Sequence, residues 1–167
     1  KFTKIDEAFF IGSLPLVMVI QVQWKLGQTP KRWRQIPTPE VELDWTMRKW
    51  NLNKKSSNET SFSEIVREMI PEQMPMSYLE NYTGIKNTYT RLPWPEKPCL
   101  IFTMTSCFFD DVFKAWAAEK VESQGTPYLI GQHGGHYGVL LQTATENCQV
   151  AISDSWISWG WSDKSRK

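Results

Sequence analysis

Gln132-His133-Gly134-Gly135-His136-Tyr137-Gly138 is the stretch whose residue types and spacing are best suited to chemistry. Three glycines within seven residues let a backbone turn tightly and approach a ligand closely. Backbone N–H groups exposed in such a turn can form a concavity for an anion. Imidazole changes charge near neutral pH, so His133 could serve as base, acid or hydrogen-bond donor. Together these are parts for holding a phosphate or a sugar hydroxyl. A plain reading stands beside this one: a glycine-rich turn whose histidines only satisfy backbone groups. Other constellations are thinner. His133 and His136 could join Cys148 or Asp154 around zinc, but no ligand spacing is diagnostic, and no metal is expected. Ser106, His133 and Asp154 could make a hydrolase triad only on paper, because no Gly-X-Ser-X-Gly elbow is present. A P-loop and a Gly-X-Gly-X-X-Gly fingerprint are both absent.

The loop follows a readable unit. Residues 99–104, Cys99-Leu100-Ile101-Phe102-Thr103-Met104, form an apolar run suited to a central strand. Asp110 can cap a helix over 111–123, with Phe113, Ala117 and Val121 on one stripe and Val112 and Trp116 beside it. Gly125 closes that helix, and residues 127–132 read as a second strand. Strand, helix and strand at this spacing predict a parallel pair with a right-handed crossover. In such sheets ligands sit beyond the carboxyl ends of the strands, where the His133 loop begins. Val150 to Asp154 then leads into a further strand around Trp156 and Ile157, with Trp159-Gly160-Trp161 ending it at a cleft and Asp154 as a turn residue.

Upstream, Ala8-Phe9-Phe10-Ile11 suggests a short buried strand. A helix capped by Ser13 should run to Gly27; its apolar residues spread so widely that a well-buried helix is expected. Pro30, Pro37 and Pro39 forbid long regular structure in the next stretch, and residues 54–60 read as an exposed loop. Ser61 and Glu64 suggest a capping box for a helix along Phe62, Ile65, Val66, Met69 and Ile70, ended by Pro71. A short helix over 75–82 and a proline-bearing linker complete this part.

The 167 residues suffice for one domain with a real core, and a hydrophobic share of 41% argues against disorder. A net charge of +1 argues against a general nucleic-acid or membrane binder. The basic excess lies before residue 61, around Lys31, Arg32 and Arg34 and around Arg48, Lys49, Lys54 and Lys55; it reads first as a solvated face, with an anion-attracting groove as the alternative. Cys99, Cys107 and Cys148 cannot all pair within one chain, which favours a reducing, cytoplasmic setting. The apolar stretch from Leu14 to Ile20 is too short to cross a bilayer. The start at Lys1 and the charged end suggest a fragment.

Five segments stand out: Ile101-Phe102-Thr103, Phe113-Lys114-X-Trp116-Ala117-Ala118-Glu119-Lys120, Gly131-Gln132-His133-Gly134-Gly135-X-Tyr137-Gly138, Ile152-Ser153-Asp154 and Ser158-Trp159-Gly160-Trp161-Ser162. Together they resemble a family of bacterial transferases associated with surface-polysaccharide and O-antigen gene clusters. Leu26-Gly27-Gln28-X-Pro30 with Trp33, and Ile70-Pro71 with Tyr78-Leu79-Glu80, are weaker echoes. The resemblance implies an α/β, Rossmann-like three-layer domain with a mainly parallel sheet, one lobe of a two-lobed GT-B-like enzyme. On that reading residues 1–167 are a single domain, with a helical and irregular part over 1–98 and the βαβ core over 99–161. The activity implied is transfer of a sugar or related group from a nucleotide sugar to a glycan acceptor. His133 would be base or acceptor-positioning group; Gly134, Gly135 and Gly138 would admit substrate; Gln132, His136 and Tyr137 would add polar contacts. No cofactor is implied, the nucleotide sugar being a substrate bound mainly by a second lobe of the same chain. Contact with the inner membrane would be peripheral. A non-catalytic carbohydrate- or protein-binding module and a nucleotide-sugar epimerase remain alternatives.

Overall fold

Four short apolar segments, Ala8–Ile11 (β1), Leu100–Thr103 (β2), Tyr128–Gly131 (β3) and Ser155–Ile157 (β4), pair side by side in the order β1-β2-β3-β4. All three pairings are parallel, with Phe9 opposite Ile101, Ile101 opposite Tyr128, and Ile130 opposite Trp156. The computed structural model describes residues 7–12, 14–52, 62–141 and 143–162. The expected α/β, Rossmann-like architecture is present: a parallel sheet with six α-helices among the described residues. The expected strand at 8–11 and the parallel, adjacent strands within 99–104 and 127–132 are all found.

Alternation along the strands divides the core in two, because successive side chains point to opposite faces. Phe9, Ile11, Ile101 and Ile130 meet the helix Asp111–Gln124 (α5) through Val112, Phe113, Trp116 and Ala117. Phe9 is the hub of this layer, with ring centroids 4.5 Å from Trp116, 5.2 Å from Trp33 and 5.3 Å from Trp94. Ala8, Phe10 and Phe102 face the other way, onto Val19 of Leu16–Lys25 (α1). Strands β1 and β2 are therefore buried on both faces, which is why their residues form continuous apolar runs.

α5 begins and ends as its sequence dictates. Asp110 Oδ1 accepts from Phe113 N–H at 2.8 Å, while Oδ2 accepts from Ile36 N–H at 3.3 Å. Gly125 takes the left-handed conformation at φ 66°, which closes the last turn. Asp110 thus holds the proline-rich segment against the start of the helix.

Several expectations change. α1 is not well buried: Val19 and Gln23 are covered, while Leu16, Val17, Met18, Val22 and Trp24 are exposed. Only one stripe of the helix meets the sheet, and Gln23 is committed to clasping Lys31 through both its backbone groups. Pro71 does not end the second helix, Phe62–Gln73 (α2). The carbonyls left free at its end are met by Arg48 Nη1, which donates to Pro71 O at 2.9 Å and Glu72 O at 3.0 Å. The short helix expected over 75–82 is a 3-10 turn at Met76–Tyr78, and the expected linker contains a further helix, Tyr82–Tyr89 (α3). The segment 28–52 contains one 3-10 turn, Trp45–Arg48, as its prolines suggest. Ser13, Ser61 and the loop 54–60 lie outside the described residues. Beyond β3, the segment read as leading into a strand from Val150 is helical over Ala144–Ile152 (α6), and β4 starts only at Ser155.

Arg48 is also not part of a solvated face. Its Nε and Nη2 donate to the two Glu80 oxygens at 2.6 and 2.7 Å, with both side chains only 2% exposed. The guanidinium holds the Glu80 carboxyl down at about 2, against an ordinary value of 4.5. A depressed carboxyl contributes stability that is fully present above pH 4.5 and is lost as pH falls towards about 2. Glu80→Gln should therefore lower the urea midpoint at neutral pH. The gap to the wild type should shrink steadily as pH drops through that interval. A gap independent of pH would contradict a contribution from the Glu80 charge.

Candidate functional site

All four strands are parallel, so their carboxyl ends open on one edge of the sheet. β1 ends there in Gly12, at φ 117°, whose Cα side faces Thr103 Oγ1, Met104 N and Thr105 Oγ1. β2 ends in Thr103, whose hydroxyl accepts from Ser106 N–H at 3.1 Å and starts the single turn Ser106–Phe109 (α4). β3 runs into Gln132–Gly138, and β4 into Ser158–Trp161.

The loop after β3 is held at both ends. Gln132 is buried; its Nε2 donates to Gly134 O at 2.9 Å, and its Oε1 accepts from Trp159 N–H and Trp161 Nε1–H, each at 3.0 Å. One amide therefore ties the turn after β3 to the segment after β4. At the far end the Glu146 carboxylate accepts from Gly138 N–H at 3.0 Å. Glu146 is buried in the first turn of α6, where Thr143 Oγ1 accepts from its N–H at 3.2 Å. Thr143-X-X-Glu146 has the sequence pattern of a capping box, of which the Thr143 half is made; the pattern foretells α6, and residue types alone do not single it out as part of the site.

Between these anchors, Tyr137 turns inward and is only 2% exposed. Its hydroxyl lies 3.1 Å from His133 Nδ1 and 3.4 Å from Nε2, with the two rings edge to face at 5.2 Å. The His133 ring is half-buried, 6.0 Å from the Phe108 ring on α4, whereas His136 is exposed and stacked on Tyr137 at 4.5 Å. Burial first, and the neighbouring His136 second, hold the His133 imidazole below its ordinary value. Burial pushes the Tyr137 phenol up. Both causes favour the uncharged imidazole, in a loop whose Gly135 and His136 are exposed.

The three loop glycines serve different ends. Gly138 sits at φ 72°, and a β-carbon there would come 2.8 Å from the Trp161 ring. At Gly134 a β-carbon would come 3.1 Å from Tyr137 and 3.3 Å from His136, so glycine lets both rings fold back over the turn. Gly135 has open space around it and is the position best able to admit a ligand. Gly138→Ala should destabilise the protein by about 1–2 kcal/mol from backbone conformation alone, and Gly135→Ala should be close to neutral. Paired thermal melts test this; equal effects would contradict the assignment.

The rival constellations are not assembled. Asp154 lies at the opposite edge, where its carboxylate accepts from Tyr128 N–H at 2.8 Å at the start of β3. Ser106, His133 and Asp154 therefore do not form a triad. Among the described residues no three His, Cys, Asp or Glu side chains are grouped to hold a metal. A separate groove of about 470 Å³ runs between α3 and α5, lined by Tyr78, Tyr82, Asp111, Lys114, Glu119 and Glu122. Two of its three carboxylates are engaged by neighbours: Asp111 by Ser77 and Lys114, Glu119 by Tyr89 and Lys120. This acidic lining does not suit a phosphate-bearing ligand. No described helix is long and apolar enough to cross a membrane.

No curated protein and no solved structure is significantly similar to the chain. A family model described as LIC12162 family transferase matches residues 3–167. The parallel sheet with its histidine-bearing loop therefore belongs to a member of the LIC12162 family of transferases.

Proposed function

We propose that this chain is one Rossmann-like lobe of a two-lobed, GT-B-like glycosyltransferase acting in bacterial surface-polysaccharide assembly. The observation that carries the reading is the placement of His133, half-buried in a glycine loop at the carboxyl edge of a parallel sheet. In the reaction a glycan hydroxyl oxygen forms a bond to the sugar carbon as the bond from that carbon to the donor phosphate breaks. The hydroxyl proton passes to His133 or to solvent water, and the nucleotide diphosphate carries away the negative charge. His133 lies where it can hold an acceptor or phosphate oxygen, or receive that proton. Backbone N–H groups around Gly135 supply donors without adding a side chain. Most contacts to the nucleotide would come from the second lobe, and the enzyme would work in the cytoplasm, peripheral to the inner membrane.

This division of labour has a measurable consequence. Calorimetry of the 167-residue chain against a panel of nucleotide sugars should show only weak binding, because one wall of the cleft acts alone. Micromolar affinity for the isolated chain would place the donor site on this lobe and overturn the division.

A further inference from the structure

We infer that Tyr137 is a positioning residue for His133: its hydroxyl donates to Nδ1, keeps the ring proton on Nε2 and so presents His133 as a neutral hydrogen-bond donor. The inference rests on the reading of His133 as the group that meets substrate and narrows its role. Base and acceptor-positioning group were both open; a proton held on Nε2 favours the second.

Geometry carries most of this. The Tyr137 hydroxyl lies within reach of both imidazole nitrogens and is nearer Nδ1, at 3.1 Å against 3.4 Å. One hydroxyl has one proton to donate, and given to the nearer nitrogen it leaves Nε2 to carry the ring proton. The ring that brings it there is locked: His136 stacks on one side, the Trp156 ring lies 5.7 Å away, and the absence of a side chain at Gly134 leaves room for the turn. The titratable groups around the pair are His136 beside His133, and Cys107 and Glu146 near Tyr137. Among the described residues no carboxylate is seen hydrogen-bonded to the imidazole, and a carboxylate is the partner that would instead draw a proton onto Nδ1. A locked neutral donor holds an oxygen without needing to titrate, as preorganised donors do in charge-stabilising sites.

The chain contains two histidines, so nitrogen-resolved NMR of the 167-residue protein can separate His133 from His136. In the wild type, His133 Nδ1 should resonate as a bare acceptor nitrogen and Nε2 as a protonated one. Tyr137→Phe keeps the ring and removes the hydroxyl. It should broaden His133 towards a mixture of tautomers and raise its pKa, since a donor to the neutral form is lost, while His136 moves less. A wild-type spectrum with the proton on Nδ1 overturns the inference, whether or not the variant folds. So does a folded Tyr137→Phe protein with an unchanged His133 spectrum. The spectra do not depend on catalysis. If they come out as expected while His133→Ala keeps full transferase activity, the positioning stands and the functional reading fails. If His133→Ala loses activity but the spectra contradict the tautomer, the reverse holds.

Discussion

His133→Ala should lower transferase turnover by about a hundredfold or more, the scale of removing a positioned donor or an acid–base group. The assay belongs to the enzyme with both walls of the proposed cleft present. Melting temperature should change little, because His133 is a half-buried loop side chain and not part of either core layer. His136→Ala should cost far less, since that ring is exposed and stacks only on the outer side of Tyr137. A purely structural histidine gives the opposite pattern, with a lower melting temperature and most specific activity retained. Turnover and thermal melts on both variants separate the two readings.

Phe113→Ala should be the most damaging of the simple core substitutions, at about 3–5 kcal/mol. Phe113 is fully buried at the first turn of α5, with ring centroids 6.2 Å from Phe9, 6.2 Å from Trp116 and 6.3 Å from Tyr128. Truncation leaves a void among rigid rings that cannot collapse easily. The same turn is capped by Asp110, so loosening it also disturbs the segment pinned through Ile36. A loss of that size is comparable with the whole stability of many domains of this length. Phe109→Ala is the matched comparison: 71% exposed, it should change the urea midpoint little. Similar losses for both would contradict the core described above.

The β2–α5–β3 unit was legible because each boundary carries a local cause. Asp110 accepts a bond from Phe113 N–H, Gly125 takes a left-handed turn, and the strands are apolar on both faces. α6 was hidden because Val150-Ala151-Ile152 suits a strand by composition, while the Thr143–Glu146 box that starts the helix lies seven residues earlier. α1 shows a different limit. Apolar spread says which residues avoid water and nothing about what covers them, and much of its surface has no cover among the described residues. Arg48 could not be told from its basic neighbours, since its partner Glu80 is 32 residues away. The loop itself was found from its glycines and histidines. The inward turn of Tyr137 was not, because it depends on Gly134, His136 and Trp156 meeting in space.

Amide chemical-shift mapping addresses the central claim, that ligands meet this domain at the carboxyl edge of its sheet. Isotope-labelled 167-residue chain would be titrated with a nucleotide sugar at millimolar concentration, high enough to reveal weak contact. The expected result is a set of progressive shifts centred on residues 132–138, with smaller ones at Gly12, Thr105 and 158–161. Shifts centred instead on Tyr78, Tyr82 and the flank of α5, with the His133 loop unmoved, would contradict the account.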